Sequence, residues 1–477
     1  MLKRIFSHTA IYGLAPHVSK IASLFVLPVI TQDLTELDYG VAGTLTAYTG
    51  VISVLSTLGL RLILVNTFYK SPNQYKWAWR QIYGFLSLWV IPYTLILGLL
   101  LYKVVPNEAS DNTISIVLLN ILPIVAFGNT STLGTTYFQI NKQPLQVGVR
   151  TAIFGVLAVF LNLFTISYLK LGYMGWFWTS FIVGILSNVS YWIPINIQLG
   201  ITPIFNFKWK TIRGYLKRSL PTVPHYYSSY LLNSSDRMVM DWLKIGTGDI
   251  GKYNIAYTIG GYVERIAIAS GLAINPMLNE YYKQGEDKRA RDLIFLLQII
   301  FWLMTFIISL WLKEIFYILI KNNVLSEMYP LAIIIVMSYN YRPMYYGANS
   351  KLFYTENTKQ LWKITTVAGI SNLVLNFFLI PFYGFQIAAV TTFVSLMYMG
   401  YAGFFMKKFR EITKVKYYPL FWISGSIFIT VLAYYLVELN LLYKIFITTI
   451  ILLIGGLTVR IFNSKNLGKK QNNKVYN

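Results

Sequence analysis

Apolar residues run along this chain in stretches of about 20, each closed by a short cluster of basic residues, glycine or proline, and the pattern holds from one end to the other. A stretch of that length crosses the roughly 30 Å hydrocarbon core of a bilayer as an α-helix. Bounded in this way, the sequence predicts about 14 helices, at 8–31, 39–66, 82–104, 113–138, 148–169, 173–198, 219–243, 250–276, 293–313, 328–350, 361–381, 384–406, 417–437 and 440–461. An even number returns the chain to the side on which it started. The expected fold is all-α, a polytopic transmembrane helical bundle.

Composition points the same way. Of 477 residues, 55% are hydrophobic, 17% aromatic and only 12% charged, against about 25% charged in a soluble domain. That is too few charges to cover a water-facing surface. The charges are also lopsided, with 41 Lys and Arg against 18 Asp and Glu and a net charge of +23. On a soluble protein such an excess would suggest a nucleic-acid partner; the long apolar runs exclude that reading. The absence of cysteine removes disulfides, thiolate metal sites and cysteine nucleophiles. His8, His17 and His225 lie too far apart to spell a metal motif. The apolar run after Lys3 and Arg4 is about 20 residues long and lacks a small-residue cleavage site, so it is expected to be a retained first span and not a signal peptide.

The basic residues orient the bundle, because short loops rich in Lys and Arg stay in the cytoplasm. Along the 14 predicted spans, 29 cations fall in one set of loops and tails, including Lys208, Lys210, Arg213, Lys217 and Arg218 of a single link. The alternate set holds 7: Lys103, Lys170, Lys244, Lys252, Lys313, Lys321 and Lys444. Both termini are therefore expected in the cytoplasm. A missed span would invert every later loop and spoil the alternation, so the split also supports the count. Cytoplasmic segments alone carry +23, outer segments −3 and the spans +3, which makes the charge excess mainly an orientation signal.

The outer connections are short, leaving no outer domain to house catalytic groups. The longest link, 199–218, is cytoplasmic and mixes aromatic with basic residues, which suits an interfacial helix or a solvated linker near anionic headgroups. A similar segment, Tyr75-Lys-Trp-Ala-Trp-Arg80, follows the second span. The link divides the chain into a six-helix lobe at 1–206, a second at 207–412, and a terminal helix pair with a basic tail at 413–477. Both lobes open alike: Pro16-His17 matches Pro224-His225, Asp38-Tyr39-Gly40 matches Asp249-Ile250-Gly251, and Ala47-Tyr48-Thr49-Gly50 matches Ala256-Tyr257-Thr258-Ile259-Gly260. Duplicated halves with even span counts share one orientation, so a pseudo-two-fold axis along the membrane normal is expected. Two such bundles would enclose a central cavity able to open to either side, which is transporter architecture. Gly246-Thr-Gly-Asp-Ile-Gly251-Lys252 imitates a phosphate-binding loop but continues with Tyr253 where Ser or Thr must meet magnesium, and it is rejected.

Five cations remain inside spans: Lys20, Arg61, Arg237, Arg265 and Arg342, against the embedded acids Asp236 and Glu264. An ionisable group at the bilayer centre costs about 2.5 to 3.5 kcal/mol even on the lenient insertion scale, so these residues need a reason. Lys20, Arg265 and Arg342 fall near the midplane, Arg61 close enough to a helix end to snorkel, and Asp236-Arg237 in the outer third of its span. One reading pairs them with neighbouring helices as structural ties. The other leaves a surplus cationic site for an anion such as phosphate or pyrophosphate, to which Arg and Lys are suited. His17 and His225, beside prolines, fit a hydrogen-bonded structural role. Pro28, Pro92, Pro123, Pro194, Pro221 and Pro276 are expected to kink spans or mark their ends.

Several motifs carry a family resemblance. Thr9-Ala-Ile-Tyr-Gly-Leu14, Leu27-Pro28-Val-Ile30, Leu34-Thr-Glu-Leu-Asp38-Tyr39-Gly40, Ser219-Leu-Pro221, Leu232-Asn-Ser-Ser-Asp236-Arg237 and Gly251-Lys-Tyr-Asn-Ile-Ala-Tyr257 resemble the bacterial polysaccharide flippases. These are O-antigen- and capsule-type lipid-linked oligosaccharide translocases of the multidrug/oligosaccharidyl-lipid/polysaccharide exporter superfamily. The resemblance implies a flippase, not an enzyme, that moves an undecaprenyl-pyrophosphate-linked oligosaccharide to the outer leaflet by alternating access. It implies Asp236 and Arg237 as a family element, and it makes coupling to a proton or sodium gradient an expectation, with Asp236 and Glu264 the available acids. No cofactor is expected; membrane lipids and a polysaccharide polymerase are expected partners, and the chain is read as a monomer. The rivals are a peptidoglycan-precursor flippase, a drug exporter of the same superfamily, which should have about 12 spans and embedded acids in excess, and a membrane polymerase or ligase, which needs a large outer loop.

Overall fold

The structure, a computed structural model, describes residues 19–356 and 359–456, and every regular element among them is helical. His8, His17, the Thr9–Leu14 motif and the basic tail after 456 lie outside the described residues. Contacts group the chain into two compact units, one of residues up to Asn254 with Leu319–Leu325, the other of Ile255–Ile318 with the residues from Ser326 onward. The sequence places its lobe boundary at 206; the compact units divide later, inside a helix.

The first unit holds α1 (Ser19–Ile30), α2 (Glu36–Ser53), α3 (Arg61–Lys70), α4 (Tyr75–Val104), α5 (Thr113–Phe127), α6 (Thr130–Ile140), α7 (Pro144–Asn162), α8 (Met174–Trp192), α9 (Trp209–Ser219), α10 (Val223–Trp242) and the first turns of α11 (Thr247–Lys283). The second holds the rest of α11, then α12 (Asp287–Leu310), α13 (Leu312–Leu319) up to Ile318, the end of α14 (Asn323–Ser326), α15 (Tyr329–Ser338), α16 (Arg342–Tyr354), α17 (Lys359–Tyr383), α18 (Ile387–Phe405), α19 (Lys407–Ile412), α20 (Pro419–Leu436) and α21 (Leu441–Gly456).

Among the described residues, eight helices are long and apolar enough to cross a membrane, and α1 and α21 are shorter apolar helices. The predicted spans outside this set are 39–66, 219–243, 250–276 and 328–350, four that carry embedded charge. Two of them are broken. The predicted span 39–66 divides into α2 and α3 around turns at 54–60, whose freed carbonyls are taken by side chains: Trp89 Nε1 donates to Leu55 O at 3.0 Å, Asn129 Nδ2 to Ser56 O at 3.1 Å and Ser219 Oγ to Leu58 O at 2.9 Å. Satisfied carbonyls make such a break tolerable inside a bilayer. The predicted span 328–350 tightens into a 3-10 turn at Tyr339–Tyr341, because Pro343 has no N–H and its ring would meet the carbonyl four residues earlier. A third interruption separates α5 from α6 at Gly128, whose φ of 55° favours glycine. The span predicted at 250–276 belongs to α11, 37 residues and so about 55 Å long, well beyond the bilayer core.

The link at 199–218 contains the helix α9. Ile212 and Ser219 are buried and Tyr215 and Leu216 partly so, while Lys210, Arg213 and Lys217 are exposed. The preceding residues strap across the start of α4: Ile204 N donates to Arg80 O at 3.0 Å, Arg80 Nε to Thr202 O at 3.1 Å and Lys76 Nζ to Leu199 O at 3.1 Å. The Tyr75–Arg80 segment is thus the opening of α4 and not a separate interfacial piece.

In the second unit α20 lies on α12, with Trp302 Nε1 donating to Ser426 Oγ at 2.9 Å. Trp311 Nε1 reaches Thr448 Oγ1 on α21 at 2.9 Å. Lys444, predicted in an outer loop, is instead a buried residue of α21 whose Nζ lies 2.6 Å from Glu314 of α13. Lys313 pairs with Glu438, which also accepts from Tyr329 at 2.6 Å. The Lys313 ammonium, and then the Tyr329 hydroxyl, hold the Glu438 carboxyl below its ordinary range.

Candidate functional site

The embedded charges gather at two places, one in each unit. In the first unit, Asp236 and Arg237 are neighbours on α10, pointing about 100° apart, and both turn to the opening of α11. Tyr253 donates its hydroxyl to Asp236 Oδ2 at 2.6 Å. Arg237 Nε donates to Asn254 Oδ1 at 2.9 Å, Nη1 to Asn233 O at 3.3 Å, and the guanidinium lies 5.8 Å from the Tyr253 ring centre. Asn254 in turn donates to Tyr39 O on α2 at 3.2 Å. One turn further along α10, Asp241 accepts from Tyr48 at 2.6 Å. Asp236 is fully buried and Arg237 nearly so, and such groups are held by satisfied hydrogen bonds.

The repeated Asp-x-Gly elements explain why these helices approach. A Cβ on Gly40 would stand 1.9 Å from Thr247 O, and one on Gly251 would stand 1.8 Å from Glu36 O. The two glycines therefore allow α2 and the start of α11 to cross backbone to backbone. Thr247 also donates to Glu108 at 2.9 Å. Most of the segment that imitates a phosphate loop is thus the packed first turns of a helix.

In the second unit, Arg342 occupies the first position of α16, directly after the 3-10 turn. Its Nη2 stands 3.9 Å from Glu264 Oε1 of α11, with the two side chains 18% and 17% exposed. That separation is an ion pair beyond hydrogen-bond distance. Arg342 Nε is buried without a hydrogen-bond acceptor. Tyrosines surround it: the guanidinium is 5.0 Å from the Tyr341 ring centre, and Tyr341, Tyr345 and Tyr346 follow one another at 6.1 Å. The turn is held by neighbours, since Gln298 Nε2 donates to Asn340 O at 3.0 Å, Thr305 Oγ1 to Asn340 Oδ1 at 3.1 Å and Tyr346 to Ala267 O at 2.7 Å. A guanidinium 18% exposed and set among hydroxyls and rings has the charge to attract an oxyanion, and the rings can stack on a sugar.

The other predicted cations stay apart from these clusters. Lys20 is exposed on α1, Arg61 donates to Gln139 Oε1 at 2.7 Å at the start of α3, and Arg265 is exposed on α11 beside Glu264. The sequence assigns no site role to Tyr253 and Asn254, which fall in the Gly251–Tyr257 motif, to Tyr48 of the lobe repeat, to Asp241 or to the tyrosines around Arg342. For the last group a signal existed, the density of Tyr339-Asn-Tyr341-Arg342-Pro343-Met-Tyr345-Tyr346. Among the described residues no group of His, Cys, Asp and Glu could hold a metal ion.

A family model described as polysaccharide biosynthesis protein matches residues 5–282, more than half of the chain. The protein belongs to the polysaccharide biosynthesis protein family. Its eight helices long and apolar enough to cross a membrane, counted among the described residues, make it a multi-pass membrane protein. Its fold is shared with the lipid II flippase MurJ in an inward closed conformation, at 14% identity and a TM-score of 0.65 over 91% of this chain and 99% of that one. A multidrug resistance transporter of the MATE family and MOP superfamily is also similar. Its inward-facing conformation gives 11% identity and a TM-score of 0.60 over 86% of this chain and 96% of that one, and its outward-facing conformation 13% and 0.52 over 85% and 97%. No curated protein matches the chain. The family match covers α10 and most of α11, so Asp236, Arg237 and Glu264 lie within it and Arg342 beyond it.

Proposed function

We propose that this protein is a flippase that carries an undecaprenyl-pyrophosphate-linked oligosaccharide, of the O-antigen or capsule type, from the cytoplasmic to the outer leaflet of a bacterial inner membrane by alternating access. The observation that carries the reading is Arg342, a membrane-embedded guanidinium whose Nε lacks an acceptor and whose only ion-pair partner among the described residues is Glu264 at 3.9 Å. An anionic pyrophosphate would meet the part of the guanidinium side chain that stays accessible, 18% of it, and the tyrosines beside it offer stacking faces for sugar. Glu264 competes for the same cation, so its protonation by a proton gradient, or its capture of sodium, would couple substrate binding to an ion. A polysaccharide polymerase would then consume the delivered unit.

The test is accumulation. Deleting the gene should trap lipid-linked repeat units on the cytoplasmic leaflet; precursor that still reaches the outer leaflet unpolymerised would instead indicate a polymerase. Arg342→Gln should abolish delivery at near-normal protein abundance, with Arg342→Lys partly active. Loss of abundance in both would make Arg342 a structural tie. The likeness to a lipid II flippase favours a second reading, in which the cargo is the peptidoglycan precursor; accumulation of that precursor on depletion would select it.

A further inference from the structure

A second cationic site lies on the flank of the first unit, away from the clusters described above. Arg150 is on α7, six residues after its start and so about 9 Å along the axis. Its guanidinium lies 5.2 Å from the Phe138 ring centre and 5.0 Å from that of Tyr191. Nη1 donates to Gln146 O at 2.7 Å and to Gln146 Oε1 at 2.6 Å, while Nε and Nη2 donate to Ser190 O at 3.3 and 3.2 Å. All of these acceptors are neutral. Four of five N–H groups are therefore anchored, one Nη2 hydrogen is spare, and the whole positive charge stays uncompensated.

Two cavities meet at this residue. The first, of about 530 Å³, is lined by Gln143, Gln146 and Gln198 with Tyr137 and Phe138. The second, of about 380 Å³, shares Gln146, Arg150 and Ser190 but continues along Leu145, Val149 and Ile153. Those three apolar side chains are exposed and fall at every fourth position, on one face of α7. No carboxylate lines either cavity. A compartment of mixed lining with a fixed cation and three glutamines, continuing into an apolar groove, suits an amphiphile with an anionic head.

We propose that Arg150 marks a binding site for one anionic glycerophospholipid of the surrounding membrane, its phosphodiester on the guanidinium and the first part of an acyl chain along Leu145, Val149 and Ile153. The site lies on the basic side of the bundle, where juxtamembrane cations gather anionic lipid. It does not depend on the transported substrate, so it stands or falls separately from the flippase reading.

The test uses the full-length protein purified with mixed phosphatidylglycerol and phosphatidylcholine and examined by native mass spectrometry. One phosphatidylglycerol should be retained in preference to phosphatidylcholine. Gln143→Glu places a carboxylate at the exposed mouth without touching the bonds of Arg150, and it should lower retention about tenfold, the loss of a single charge-assisted contact. Val149→Trp, which fills the apolar channel and leaves the charge intact, should do the same. Equal retention of both lipids, wild-type retention by both variants, or displacement of phosphatidylglycerol by inorganic phosphate alone would overturn the proposal. So would displacement by undecaprenyl phosphate at lower concentration, because the site would then belong to the carrier lipid.

Discussion

Gly251→Ala tests whether the backbone crossing of α2 with the start of α11 holds the first unit together. The added Cβ would stand 1.8 Å from Glu36 O, about 1.5 Å inside ordinary contact. The obstacle is a backbone carbonyl that no rotamer change can remove, so the helices must separate along the crossing. Overpacking of a tight interface costs about 1 to 3 kcal/mol, and rigid backbone on both sides places this case at the upper end. Gly261 supplies the control: it lies on the same helix, and a Cβ there meets nothing within 4 Å. Gly261→Ala should be neutral or gain about 0.5 to 1 kcal/mol from helix propensity. The assay is thermal unfolding of the purified protein in one detergent, followed by tryptophan fluorescence. Gly251→Ala should melt several degrees below wild type, with Gly40→Ala, whose Cβ would stand 1.9 Å from Thr247 O, alongside it. Melting of Gly251→Ala together with Gly261→Ala would refute the crossing.

Three further outcomes follow from the contacts described. Tyr253→Phe leaves Asp236, which is fully buried, without this donor and should cost about 1 to 3 kcal/mol; adding Asp236→Asn should not double the loss, as a double-mutant cycle on thermal stability would show. Lys444→Met leaves Glu314 without its ion-pair partner at 2.6 Å; a fully buried pair loses about 3 to 5 kcal/mol in this way, discounted here to about 1 to 2 because Glu314 is 30% exposed, and Glu314→Met in the same chain should restore much of it. Glu438 has a lowered folded-state pKa, so its pairing with Lys313 stabilises above the ordinary carboxylate pKa and is lost as pH falls through the lowered value. Wild type and Glu438→Gln should therefore differ by less than about 1 kcal/mol near neutrality and converge toward pH 3 in a pH series of melting temperatures.

Hydropathy and charge alone carried the all-helical architecture, because in a bilayer each stretch of about 20 residues answers separately to the cost of transfer from water. The same additivity made the embedded charges legible: Arg237, Arg342, Asp236 and Glu264 violate the local rule wherever they fall. The partners of those charges were not legible. Tyr48 and Asp241 are 193 positions apart, and no local pattern announces that α2 and α10 meet. Lys444 read as a loop cation, since only the approach of α13 supplies the carboxylate that allows it to be buried. The turn at Tyr339–Tyr341 fell inside the predicted span 328–350, although Pro343 and the surrounding tyrosines stood in plain view.

The sequence by itself therefore determined that this protein spans a membrane as a helical bundle, which ends of its helices carry the basic residues, and that cations are retained inside the apolar spans at unfavourable positions. Tertiary structure alone decided which of those cations are spent on the fold. Arg237 is consumed by hydrogen bonds to Asn254 and Asn233, whereas Arg342 keeps an unsatisfied Nε beside a carboxylate 3.9 Å away. The physical reason is the short reach of hydrogen bonds: a few tenths of an ångström in helix packing decide whether a guanidinium N–H is satisfied.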